Sequence, residues 1–267
     1  MTKFGSGQVT VNSVGNAGFT GQVTVNQGTL VLRSGIFGGA AVGALNGQDV
    51  YLTGNNSTLI LDGGVANNLG TYSLLAFDSR ATTNLGANVF VTGDSTLTSF
   101  NTGGTATSVR QIINNLTFAN SGPALGAQST ITLTLGSNIE VLGTTTLIQG
   151  AVFTSVDTGN NSLMGSTLTG QVTGVGPLVK FGNSGRELTL ASGTNNYTGG
   201  TVVHGSLQGQ APNLISSSAR TGTPFGAGDI TVYPGGADSY PRSVQHRFER
   251  RKPVQRQRRR LRRFNRL

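Results

Sequence analysis

The chain has 267 residues, no cysteine, no tryptophan, 41 glycines and 36% hydrophobic residues. This excludes disulfides, thiol catalysis and zinc–thiolate sites, and it argues against an ordinary α/β enzyme, without fixing a compartment. The net charge of +9 is local: residues 1–236 carry seven bases and eight acids, whereas residues 237–267 carry twelve bases against Asp238 and Glu249.

Met1-Thr2-Lys3-Phe4-Gly5-Ser6-Gly7 leads straight into alternating residues without an apolar core, so no signal peptide is expected on this chain. The block Lys3-Phe4-Gly5 with Val9-Thr10-Val11 is followed by Phe19-Thr20-Gly21-Gln22-Val23-Thr24-Val25 and Gly28-Thr29-Leu30. Alternation of Val or Leu with Thr predicts short strands at Gln22 to Val25, Thr29 to Leu32, Asp49 to Leu52 and Thr58 to Leu61. Between them Gly35 to Leu45 is the most apolar stretch, well short of the roughly 20 residues that cross a bilayer. Asn46-Gly47 is the one pair that resembles a two-residue hairpin turn, and Asp62-Gly63-Gly64, Gly103-Gly104 and Gly199-Gly200 mark corners.

Further strands are predicted at Tyr72 to Phe77, Asn88 to Val91, Ile112 to Phe118, Ser129 to Leu135, Thr144 to Ile148, Glu187 to Leu190, Thr201 to Val203 and Ile230 to Val232. No window holds a capped 3.6-residue apolar period, so helix is expected to be scarce. The opening block then returns as Lys180-Phe181-Gly182, Leu188-Thr189-Leu190, Tyr197-Thr198-Gly199-Gly200-Thr201-Val202-Val203 and Gly205-Ser206-Leu207, with Lys180 in the place of Lys3 and Gly199 in that of Gly21. The repeat copies cover about 2–32 and 174–233. An all-β right-handed parallel β-helix explains these features better than a sandwich, which would need many hairpins. Coils on the order of 20 residues would give roughly 12 of them over residues 1–236. Residues 237–267, including Arg258-Arg259-Arg260, have little apolar pattern and are expected to be disordered or translated out of frame, because the charge switches where the repeat should continue.

The second copy supplies Gly174-Val175-Gly176-Pro177-Leu178-Val179-Lys180-Phe181-Gly182, Leu188-Thr189-Leu190, Asn195-Asn196-Tyr197-Thr198-Gly199-Gly200-Thr201 and Phe225-Gly226-Ala227-Gly228-Asp229-Ile230-Thr231-Val232. These motifs resemble the autotransporter-associated β-strand repeat, also called the passenger-associated transport repeat, of bacterial surface and secreted proteins. The match covers about sixty residues; residues 33–170 share only the Gly, Thr and Asn style. The resemblance implies a fragment of a β-helical passenger, cell-surface or extracellular in its parent protein, whose outer-membrane β-barrel translocator would be separate or missing here.

Chemistry is sparse. His204 and His246 are the only histidines, no Gly-x-Ser-x-Gly elbow occurs, and His204 takes the repeat position held by Asn26, so it is expected to be an exposed strand-end residue. The acids of residues 1–236 are mostly solitary, and the surface Tyr and Phe residues are too sparse for a sugar-stacking platform. Lys3 and Lys180 lie in strand patterns rather than in a phosphate loop. No catalytic, cofactor-binding or metal-binding residue is therefore assigned, and no cofactor is expected. The expected role is a structural, non-enzymatic stalk or adhesin scaffold, with surface glycans or host proteins as partners and no specific nucleic-acid partner. The alternatives are a carbohydrate-binding or polysaccharide-cleaving β-helix, or polyanion binding through the basic tail.

Overall fold

A computed structural model describes residues 1–12, 21–33, 35–37, 40–42, 49–62, 88–100, 111–119, 131–136, 139–156, 165–181, 188–209, 222–233 and 237–239. Among these residues the fold is all-β, without helix. Alternation builds each strand. In Val23–Val25, Val50–Leu52 and Ile131–Gly136 the apolar positions are buried and the Thr or Tyr between them is half-exposed, as the two-residue period of a strand requires.

Three parallel sheets result. The first contains Thr2–Lys3, Val23–Val25, Val50–Leu52, Val89–Val91, Leu116–Phe118, Thr145–Leu147 and Val172–Gly174, in that order. The second contains Gln8–Asn12, Gly28–Arg33, Ser57–Asp62, Ser95–Phe100, Ile131–Gly136, Ala151–Val156, Leu178–Phe181, Thr201–Val203 and Ile230–Val232. Gln111–Ile113, Ile139–Val141, Ser166–Leu168, Leu188–Leu190, Ser206–Gly209 and Ala237–Ser239 form the third. Each strand pairs with its equivalent one circuit later, and from Val89 to Leu190 the chain visits first, second and third sheet in strict rotation. This arrangement is consistent with a parallel β-helix.

Identical positions stack into columns. Leu30, Leu59, Leu97 and Leu135 lie in register on the inward side of the second sheet, all of them buried. One hydrophobic cluster runs from Val23 to Phe225 and draws residues from all three sheets. On the outward side of the second sheet Thr29, Thr58, Thr96, Thr134 and Thr154 form one column, with Thr134 and Thr154 hydroxyls 3.0 Å apart. Corners before the first sheet use a polar stack. Asn88 donates to Asp49 at 2.8 Å, and Asn114 and Asn115 both donate to Asn88.

Several expectations change. The circuits are longer and more uneven than the sequence suggests: Thr189 opposes Gln208, 19 residues on, whereas Asp49 meets its stacking partner Asn88 only 39 residues on. Among the described residues the second sheet holds nine strands, and eight spacings of about 4.8 Å make it about 38 Å tall. The single stretch read at Ile112 to Phe118 is two strands in different sheets, Gln111–Ile113 and Leu116–Phe118, because Asn114 and Asn115 turn the corner. Gly35–Phe37 pairs antiparallel with Ala40–Val42. Asn46-Gly47 and the strand read at Tyr72 to Phe77 lie outside the described residues. Ala237–Ser239 pairs with Ser206–Gln208, one strand past residue 236; nothing is described after Ser239.

The repeat copies occupy different faces. Thr2–Lys3 and Val23–Val25 belong to the first sheet, but their counterparts Leu178–Phe181 and Thr201–Val203 belong to the second. Likewise Gln8–Asn12 and Gly28–Arg33 are in the second sheet, and Leu188–Leu190 and Ser206–Gly209 in the third. Local register is what the repeat preserves: Lys3 opposes Val25 as Lys180 opposes Val203, and Val9 opposes Leu30 as Leu188 opposes Leu207. With circuits of unequal length, the stretch from Lys3 to Lys180 is not a whole number of turns, so the second copy stands one face further round.

Candidate functional site

The repeat lysines are clamps. Lys3 sits at the end of the inward column Val25, Leu52, Val91, Phe118 and Leu147, and its Nζ donates to the carbonyls of Phe4 at 2.8 Å, Gly5 at 2.5 Å and Gln27 at 3.1 Å. Lys180 lies inward between Phe153 and Val203 and donates to the Phe181 carbonyl at 2.9 Å. Its burial pulls the ammonium down to about 8, since a low-dielectric site disfavours the charged form. Gly28 makes room for the first clamp. Its φ is +78°, and a Cβ there would stand 2.3 Å from the Gly5 carbonyl and 2.9 Å from Lys3 Nζ.

The motif Asn195 to Thr201 folds into a buried polar corner. Asn195 accepts from the Val172 amide at 2.7 Å and donates to the Pro224 carbonyl at 2.7 Å. Thr201 donates to the Phe225 carbonyl at 3.0 Å, so the Tyr197 hydroxyl donates to Thr201, at 2.5 Å. Tyr197 is buried, and desolvation pushes its phenol up to about 12. In the first copy Phe19 and Val23 stand where the second has Tyr197 and Thr201; both hydroxyls are missing together, so neither is left alone.

The carboxylates also serve the scaffold. Asp94 accepts from the Thr132 amide at 2.7 Å, Asp49 from Asn88, and Glu140, buried, from the Thr169 hydroxyl at 2.7 Å. Among the described residues no three of His, Cys, Asp and Glu stand close enough to hold a metal, and no helix is long and apolar enough to cross a membrane.

Among the described residues the second sheet carries a row of three rings on its outward side, and the first sheet carries a stacked pair, Tyr51 and Phe90, 4.6 Å apart. Beyond Thr154 the outward column of the second sheet continues as Phe181, His204 and Tyr233. The Phe181 and His204 rings lie 4.9 Å apart and tilted by 44°, those of His204 and Tyr233 4.1 Å apart and parallel to within 9°. His204 is thus half-buried within a stack rather than an exposed strand end, and the surface rings are less scattered than their sequence positions suggest. In the first copy the corresponding column reads Phe4, Asn26 and Thr53, so the shared backbone register does not need the rings. Their faces are largely turned on one another, which leaves edges and the outer face of Tyr233 as the surface offered. Sequence reasoning missed the row because Phe181, His204 and Tyr233 meet only once the lengths of the two circuits between them are known.

No protein-family model, curated protein or solved structure matches the chain.

Proposed function

We propose that the chain is a right-handed parallel β-solenoid whose work is structural: a stalk or adhesin scaffold within an autotransporter-like passenger at the bacterial surface. The observation that carries this reading is the use made of the buried polar groups. Lys3, Lys180, Asn195, Tyr197 and Thr201 all bond to backbone or to one another, which commits them to holding the chain together. A catalytic centre instead needs a nucleophile or base left available to a ligand. Closure of the three sheets around one core fits the shared hydrophobic cluster. The motif resemblance supports the surface setting.

Incubation with pectin, alginate and related polymers, followed by a reducing-end assay, tests the reading against polysaccharide cleavage. No product above the buffer control is expected; reproducible release would overturn the structural assignment. Electron microscopy of the isolated protein should show a short rigid rod.

A further inference from the structure

The row of Phe181, His204 and Tyr233 carries an inference that rests on the stacked strands of the solenoid reading above. The three rings stand on successive rungs of the second sheet: at the end of Leu178–Phe181, just after Thr201–Val203 and just after Ile230–Val232. Main-chain bonds hold these rungs in line. The His204 amide donates to the Lys180 carbonyl at 2.8 Å, the Thr201 amide to the Asp229 carbonyl at 2.8 Å and the Tyr233 amide to the Val203 carbonyl at 3.0 Å. The imidazole is the middle ring, parallel to Tyr233 within 9° at 4.1 Å and 4.9 Å from Phe181, so an aromatic ring stands on either side of it.

What the two neighbours offer depends on the charge of the imidazole, the side chain whose ordinary titration falls between about pH 5 and 8. A cation within about 6 Å of a ring centroid is drawn to the negative face of the ring, an attraction that a neutral ring in the same place lacks. Among the described residues the other titratable groups on the adjoining elements are Lys180, Tyr233 and Asp229. The Lys180 ammonium lies inward and bonds the Phe181 carbonyl, on the far side of the sheet from the imidazole. Neither Lys180 nor Asp229 forms a side-chain bond to His204; the two rings are its side-chain partners. The first copy has Phe4, Asn26 and Thr53 in the corresponding column. The backbone register therefore needs no titratable group there, and a phenylalanine between Phe181 and Tyr233 would stack without titrating.

We propose that the ring row is an acid-tightened clasp: protonation of His204 strengthens its hold on Phe181 and Tyr233 and so fastens the Ile230–Val232 strand to Thr201–Val203. The added hold is present in acid and is lost as pH rises through the titration of the imidazole. It is local, since His204 is the one histidine among the described residues.

The test follows amide hydrogen exchange by NMR in the full 267-residue chain, in about 0.3 M salt to screen the basic C-terminal residues. Rates are taken at about pH 5.5 and about pH 7.5, within the imidazole range, and divided by the intrinsic exchange rate at each pH. The Thr201 and Tyr233 amides report opening of the clasped strand; the Leu97 and Leu133 amides report the rest of the second sheet. In wild type, protection at Thr201 and Tyr233 should be about two- to fivefold greater at the lower pH. Neither His204→Asn, which takes the residue of the first copy, nor His204→Phe, which keeps three rings, should show that gain; either variant suffices should the other fail to fold. Lys180, pulled down to about 8 by burial, acts in the opposite sense at the higher pH and is common to all three proteins. Wild-type protection that ignores pH or is greater at the higher pH would overturn the proposal, as would an acid gain that survives in a folded variant. Protected Leu97 and Leu133 amides without the gain at Thr201 and Tyr233 sink the clasp and leave the solenoid standing; loss of protection at all four sinks both.

Discussion

Thr145 stands in an inward column otherwise made of Val23, Val50, Val89, Leu116 and Val172. Among the described residues its Oγ1 is the one buried side-chain polar atom without a hydrogen-bond partner. Thr145→Val keeps the shape and removes the stranded hydroxyl, so it should stabilise by about 1 kcal/mol in denaturant titration. Opposite logic governs Tyr197 and Thr201. Thr201→Val alone strands the Tyr197 hydroxyl and should cost about 1–3 kcal/mol; Tyr197→Phe with Thr201→Val recreates the first copy's pair and should recover part of that loss. The Lys180 ammonium titrates at about 8 when folded against about 10.5 unfolded. Between those values the unfolded chain binds more protons, so stability should rise as pH climbs from about 8. Tyr197 acts in the reverse sense from about 10 to 12, where the folded state holds the proton. The melting temperature should therefore climb to about pH 10 and then fall, and Lys180→Met should flatten the climb. The repetition of Lys3 and Lys180 was visible in the sequence, but their task was not, because the carbonyls they clamp are presented by corners that only folding creates.

Strands were the legible elements wherever Val or Leu alternated with Thr. Gly28–Arg33, Ser57–Asp62 and Ile131–Gly136 fall on such runs within a residue or two. Ala151–Val156 and Ser166–Leu168 escaped notice; their inward positions include Ala151 and Ser166, which weaken the apolar signal that periodicity depends on. The break at Asn114 and Asn115 was equally hidden, since a run of β-branched residues reads the same whether it lies on one face or turns between two. Stacking ties each element to its neighbours. Leu97 sits between Leu59 and Leu135 with no exposure, so Leu97→Ala should cost about 2–5 kcal/mol and lower the midpoint of a single cooperative transition. The ring row from Phe181 to Tyr233 was illegible at this scale, because each ring comes from a different circuit.

At the scale of the whole molecule the sequence determined an all-β chain of short strands with a repeated register, because a period of two and glycine punctuation are local properties that few other folds tolerate. It also determined which positions recur: the clamp lysines, the apolar-Thr-apolar strand of Val9-Thr10-Val11 and Leu188-Thr189-Leu190, and the aromatic-Thr-Gly corner that begins at Phe19 and Tyr197. The tertiary structure alone decided how many residues make a circuit, and therefore which columns form and which face each copy occupies. The physical reason is that pairing rewards alignment of strands but is indifferent to the length of the loop between them, since doubling a loop costs only about 0.6 kcal/mol. A chain whose shortest and longest circuits differ about twofold in length can hold one register throughout while its sequence shows no fixed period. The meeting of Phe181, His204 and Tyr233 follows from those circuit lengths and not from any motif.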